Sequence, residues 1–112
     1  MRFIDRMLPA PKDSGFQMDG YWTWCASVVR ADGPGEDGRF HMMASRWPKT
    51  VSWSPCWVTN SQVVHASSDT PEGPYRFEAP ALPWRHRRYF DGLATHNPQV
   101  RAFGGRYYLY YT

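Results

Sequence analysis

Asp91, His96 and Asn97 fall within one short stretch, Asp91-Gly92-Leu93-Ala94-Thr95-His96-Asn97, and together they offer three different polar chemistries. A histidine titrates near neutrality, so His96 can give or take a proton at physiological pH. A carboxylate such as Asp91 only accepts hydrogen bonds once ionised, whereas the amide of Asn97 both donates and accepts but cannot act as acid or base. Arg46 stands beside Trp47 in Arg46-Trp47-Pro48. Its guanidinium can hold a ligand's oxygens with two parallel hydrogen bonds, or pair with a carboxylate and lower that group's pKa. Trp22, Trp24, Trp47 and Trp57 each present a flat apolar face with one polar edge. Each of these residues also has a plainer reading. A histidine at a strand end often only bonds a neighbouring loop, and tryptophans most often pack as core. His41 and His65 alternate with apolar residues and read as core or rim histidines.

The elements that must position these groups are strands. Tyr21 to Arg30 is an aromatic and β-branched run, Arg39 to Ser45 a second, and Ser61 to Ser68 a third with alternating character. A short fourth strand runs from Tyr75 to Glu78, after the turn Asp69-Thr70-Pro71-Glu72-Gly73-Pro74. Residues 96–112 read as a hairpin: an extended run from Pro98 to Phe103, a Gly104-Gly105 turn that supplies positive φ, and an aromatic run from Arg106 to Thr112. Residues 1–20 read as a lead-in without regular structure, and Arg46 to Asn60 and Ala79 to Thr95 as irregular loops. No helix is expected.

Composition narrows the class. Aromatic residues make up 17% of the chain, with ten prolines and nine glycines, which favours short strands and tight turns over a helix bundle. No stretch approaches the roughly 20 apolar residues a membrane helix requires, so no membrane partner is expected. The start, Met-Arg-Phe-Ile-Asp-Arg, lacks the apolar core of a secretory signal, pointing to the cytoplasm. Cys25 and Cys56 are isolated, without the close pairing of a metal or redox motif. No metal or other cofactor is expected. A net charge of +3 is weak for a polyanion partner. Its one concentration is Arg85-His86-Arg87-Arg88, between Trp84 and Tyr89. A small β-barrel stacking single-stranded nucleic acid on those aromatics is the least supported alternative.

An internal repeat organises these strands. Gly38-Arg39-Phe40-His41-Met42-Met43-Ala44-Ser45 matches Gly105-Arg106-Tyr107-Tyr108-Leu109-Tyr110-Tyr111-Thr112 at an offset of 105 − 38 = 67 residues. Four strands fit inside one period, the pattern of a β-propeller blade. The competing reading is that any two hairpins with a glycine turn and an amphipathic second strand look alike.

Four motifs resemble five-bladed-propeller glycoside hydrolases of the glycoside hydrolase family 43 and invertase-like kind. They are Met18-Asp19-Gly20-Tyr21-Trp22, Gly38 to Pro48, Ser68-Asp69-Thr70-Pro71-Glu72-Gly73-Pro74-Tyr75, and His96-Asn97-Pro98-x-Val100 with the tyrosine-rich strand after it. The resemblance implies an all-β propeller of which this chain supplies about the first one and a half blades. Residues 1–20 would lead in, 21–95 would form the first blade with its loops, and 96–112 the first hairpin of a truncated second blade. It implies hydrolysis of O-glycosyl bonds, normally the work of two carboxyl groups flanking the bond, on a carbohydrate substrate. In the family the base is an Asp at the start of the first inner strand, and Asp19 is the match by order. Asn97 stands where many relatives have Asp, which leaves it a substrate-binding role. His96 would handle the proton, with Asp91, Arg46, Trp47 and Trp24 around the sugar. The general acid would come from a later blade, and the chain alone is expected to be inactive. A non-catalytic sugar-binding propeller would keep the aromatic platform and Asn97 while lacking a working acid–base pair.

Overall fold

The computed structural model describes the chain from Met1 to Thr112. Strands take up 37% of it and helical turns 7%, so the expected all-β class holds. The strands are β1 (Tyr21–Arg30), β2 (Phe40–Pro48), β3 (Gln62–Ser68), β4 (Arg76–Pro80), β5 (Gln99–Phe103) and β6 (Arg106–Tyr110). The first four make one antiparallel sheet in sequential order, and β5 and β6 make a second, two-stranded sheet. Both sheets are open, and neither a barrel nor a ring is formed. The hairpin turn between β5 and β6 follows from its sequence: Gly104 (φ 58°) and Gly105 (φ 71°) both adopt left-handed backbone, which a two-residue turn matching the strand twist requires.

Pairing register sorts the side chains of the larger sheet onto two faces. Trp22 lies opposite Trp47, Trp24 opposite Ser45, Ser27 opposite Met43 and Val29 opposite His41. Trp24 and Ser27 are an odd number of residues apart, so a regular strand would point them to opposite sides. One extra residue is inserted between them as a β-bulge, and Cys25 takes left-handed backbone there (φ 44°). The bulge resets the phase, leaving Trp22, Trp24, Ser27 and Val29 all on one face.

The opposite face carries the apolar core. Met42, Ala44, Val64, Ala66 and Tyr75 cluster there, with Phe16 and Phe40 packed against them. Phe16 is brought in by Gly15, whose N–H donates to the Glu72 carbonyl (2.7 Å) and whose carbonyl accepts from Tyr75 N–H (2.8 Å). The opposing turn comes so close that a Cβ on Gly73 would lie 2.8 Å from the Gly15 carbonyl oxygen. Only glycine fits at that crossing.

The second sheet docks on the first face through hydroxyl groups. Ser27 Oγ accepts from Val100 N–H (2.9 Å), Ser45 Oγ from Asn97 N–H (3.0 Å), and Thr95 Oγ1 from Val63 N–H (2.9 Å). Small side chains let the two backbones approach, and the hydroxyls satisfy amides that no strand ladder reaches.

Five sequence expectations are corrected. Residues 1–20 contain a 3₁₀ turn at Phe3–Arg6, fastened by Asp5 to the Arg2 backbone N–H (3.1 Å), and Trp57–Asn60 form one helical turn. The second strand does not stop at Ser45 but runs to Pro48, so Arg46 and Trp47 lie on a strand and not in a loop. The fourth strand begins and ends two residues or fewer later than read, at Arg76 and Pro80, and the last one ends at Tyr110.

Candidate functional site

The first face of the larger sheet, where β5 approaches it, holds a cleft of about 310 Å³ lined by Trp24, Cys25, Trp47, Trp53, Trp57, His96 and Asn97. Each lining residue is positioned by a local device. Trp24 and Cys25 flank and occupy the β1 bulge. Trp47 comes from the extension of β2 and is 1% exposed, whereas Trp24 is 52% exposed. One tryptophan is thus a fixed floor and the other an open wall. Trp53 arrives from the loop after β2 and is the hub of the cluster. Its ring meets Trp22 (5.6 Å between centroids) and Trp24 (5.2 Å) edge-on, and Trp47 (4.8 Å) at a tilt. Edge-to-face contact of this kind is the favoured arrangement for aromatic quadrupoles. The indole N–H of Trp22 donates to the Val51 carbonyl (3.1 Å), which holds the loop over the sheet.

His96 and Asn97 enter from the start of β5, and their backbone explains their placement. His96 and Thr112 exchange both backbone hydrogen bonds (2.7 and 2.8 Å), one residue out of step with the Gln99–Tyr110 register beyond. Asn97 takes up the extra residue in left-handed backbone (φ 49°). Asparagine tolerates that region better than most residues, so its identity is accounted for by conformation as well as by any ligand. Two bulges, one on each sheet, therefore face the same cleft.

The His96 ring is held on three sides. Its Nδ1 is 2.7 Å from Ser61 Oγ, Trp57 stacks on it at 4.7 Å, and Trp47 meets it edge-on at 5.8 Å. Burial among these groups pushes its pKa below the ordinary 6.5, because an imidazolium there would lose water it cannot replace. The ring is neutral at neutral pH. One nitrogen then donates and the other accepts, and the Ser61 hydroxyl can serve either tautomer. The other nitrogen, Nε2, makes no protein hydrogen bond and is the ring's remaining polar atom. The Nε1–H of Trp47 is buried without an acceptor in the protein, an uncommon state for a buried donor.

The remaining sequence candidates lie elsewhere. Arg46 neighbours Trp47 on β2 and so points to the opposite face. There it stacks over Tyr21 (4.4 Å) and Phe77 (4.8 Å) and donates to Gln62 Oε1 (3.3 Å). Arg46 therefore does not line the cleft that Trp47 floors. Asp91 is buried away from the cleft, and both its oxygens are occupied: Oδ1 accepts from Arg85 (Nε, 2.9 Å) and Oδ2 from the Tyr111 hydroxyl (2.8 Å). The Arg85 bonds hold its carboxylate below the usual range despite burial. Asp91 pins the basic loop to the end of the hairpin, and Arg85, also lying over Tyr89 (4.5 Å), is correspondingly committed. Asp19 sits in an exposed turn closed by Tyr21 N–H to the Met18 carbonyl (3.2 Å), outside the cleft lining.

The structure thus brings together Trp24, Trp47, His96 and Asn97, and separates them from Asp19, Asp91 and Arg46. Sequence reasoning passed over Trp53, Cys25 and Ser61. The loop tryptophan was legible as one of a dense group, but the bulge and the Ser61–His96 pairing have no local signal. No group of three or more His, Cys, Asp or Glu side chains is arranged to hold a metal ion, and no helix is long and apolar enough to cross a membrane. Comparison with protein-family models, with curated proteins and with solved structures finds no match.

Proposed function

We propose that the tryptophan-lined cleft binds the ring of an uncharged sugar, and that the chain is the sugar-binding part of a propeller glycoside hydrolase. The observation that carries this reading is the convergence of Trp24, Trp47, Trp53 and Trp57 with His96 and Asn97 in one cleft. Indole faces match the C–H face of a sugar ring. The amide of Asn97 and the free nitrogen of His96 match its hydroxyls. With His96 neutral the lining has no formal charge, which favours a neutral sugar over a uronate, because a buried unpaired carboxylate is costly. The four-stranded meander with β5 laid against its first strand is compatible with two neighbouring sectors of a ring.

Hydrolysis needs two carboxyl groups about the scissile bond, and the cleft lining contains none. In this reading the chain supplies the sugar platform, Asp19 is the family-matched base ahead of β1, and His96 is the group able to move a proton. The absence of a carboxylate from the lining favours a second reading, a non-catalytic sugar-binding propeller. Titration of the intrinsic tryptophan fluorescence with neutral monosaccharides and oligosaccharides tests the shared premise. Saturable change is expected, weakened about two- to tenfold by Trp24→Ala, the loss of one aromatic contact. No saturable response to any neutral sugar would overturn both readings. Turnover of chromogenic glycosides by the protein with its remaining blades, lost in Asp19→Asn, would select the hydrolase.

A further inference from the structure

A second cavity, of about 390 Å³, lies between the two sheets at the other end of β2 from the tryptophan cleft. Its walls are Val29, Met43 and Val100, and one side holds a line of titratable groups. The Asp37 carboxylate is 3.1 Å from His41 Nε2, and His41 Nδ1 is 2.8 Å from His65 Nε2. The imidazole centroids are 5.1 Å apart with planes 19° from parallel. Subtracting the nitrogen separation, 5.1 − 2.8 = 2.3 Å, leaves what two centre-to-nitrogen ring radii span. The rings therefore lie end to end in nearly one plane, with their nitrogens aimed straight at each other. That geometry holds a proton. It does not hold a metal ion, whose two imidazole ligands would converge at an angle on a point beside the line between them.

We infer that Asp37, His41 and His65 form a one-proton latch that ties β2 to β3 beside the loop at 31–38, and that a second proton opens its His41–His65 bond. A nitrogen-to-nitrogen hydrogen bond contains one hydrogen between two ring atoms. In the neutral pair, His41 donates from Nε2 to Asp37 and accepts at Nδ1 from His65. One added proton is accommodated, because the single hydrogen between the rings then has a donor on one side and an acceptor on the other. A further proton, taken from solvent by His65, places two N–H groups and two positive charges face to face, and the bond must open. Burial first, and then the neighbouring His41, already hold the His65 pKa below its ordinary 6.5.

The groups facing the pair act on both sides. Asp37 and, from β4, Glu78 favour its charged forms, whereas Arg39 opposes them. Glu78 is itself engaged by Ser67 and Arg39. The facing residues of β1 and β5, Val29 and Val100, bring no charge. The fastening reaches the second sheet through the same loop: Tyr107 of β6 donates its hydroxyl to Glu36 (2.6 Å), beside Asp37. That bond pushes the Tyr107 pKa up to about 12, so the phenol stays a donor throughout the relevant range.

The test is nitrogen NMR of the 112-residue chain. A two-bond coupling between His41 Nδ1 and His65 Nε2 is expected at pH 7.5 and is expected to vanish as the pH falls below 6.5. Backbone amides of His41 to Met43 and of His65 to Ser67 should then exchange several-fold to about tenfold faster than intrinsic pH dependence allows, the factor for one lost hydrogen bond. In His65→Phe that acid-dependent acceleration should be absent. Absence of the coupling at pH 7.5, its persistence to pH 5, or an unchanged acid response in His65→Phe would each overturn the latch.

Discussion

Two tryptophans in one cleft have different duties because their exposure differs. Trp47 is almost wholly buried between Trp53 and His96. Trp47→Ala is therefore expected to cost about 3–5 kcal/mol of stability, the usual range for emptying a buried aromatic site, read from urea denaturation. The exposed Trp24 is the better probe of ligand binding, since truncating it removes little packing. Asp91 illustrates a candidate whose chemistry is already spent. Its carboxylate is held ionised by Arg85, with its pKa below the ordinary 3.8. A depressed carboxylate pKa gives stability that is present above the unfolded value and is lost as pH falls through the folded one. Asp91→Asn should accordingly lower the melting temperature at pH 7, and the gap from the parent should close as pH is taken below 3.8. A gap of the same size at pH 2.5 would show that the ion pair is not its source.

Between the two sheets, side-chain hydroxyls supply the hydrogen bonds. The joint between β1 and β5 is centred on Ser27, whose Oγ accepts from the buried Val100 N–H. Ser27→Ala removes the acceptor and leaves that donor unsatisfied, at about 1–3 kcal/mol. Ser27→Thr keeps the oxygen and should recover part of the loss in the same denaturation assay. An isolated two-stranded hairpin is marginal in water, so β5–β6 depends on these bonds for its order. Hydrogen exchange should accordingly find the β5–β6 amides less protected than those of β2 and β3. The strands themselves were legible from alternation and turn residues, Gly104-Gly105 above all. The two bulges were not. A bulge is decided by which side chains must share a face, and that is a property of the paired sheet, not of either strand.

For the whole molecule, surface area shows how thinly the chain is packed. It exposes 8129 Å², against about 6,300 Å² for a compact monomer of its mass, and its radius of gyration is 15.4 Å against about 13 Å. Nineteen of 112 residues are buried, so single titrations weigh heavily in the balance. His65 and His96 are both held below the ordinary histidine value by burial. Below pH 6.5 the unfolded chain then binds more protons than the folded one, and stability falls with falling pH. The urea midpoint should be level from pH 8 to 7 and decline toward pH 5. A midpoint that rose on acidification would contradict the neutral state of both rings.

The sequence by itself determined that this is an antiparallel β protein with its strands and one hairpin turn at definite places. Alternation, β-branching and paired glycines act within a few residues and need no partner to be read. It also supplied the ingredients of a ligand site, in tryptophans, a histidine and an amide. Only the tertiary structure decided which of them meet. Adjacent residues on a strand point to opposite faces, which removed Arg46 from the side of Trp47. Ion pairing took Asp91 out of the cleft. Two inserted residues, at Cys25 and Asn97, turned side chains from separate sheets toward one another. Such choices are made by pairing register and by the satisfaction of buried polar groups across sequence distances that no local pattern spans.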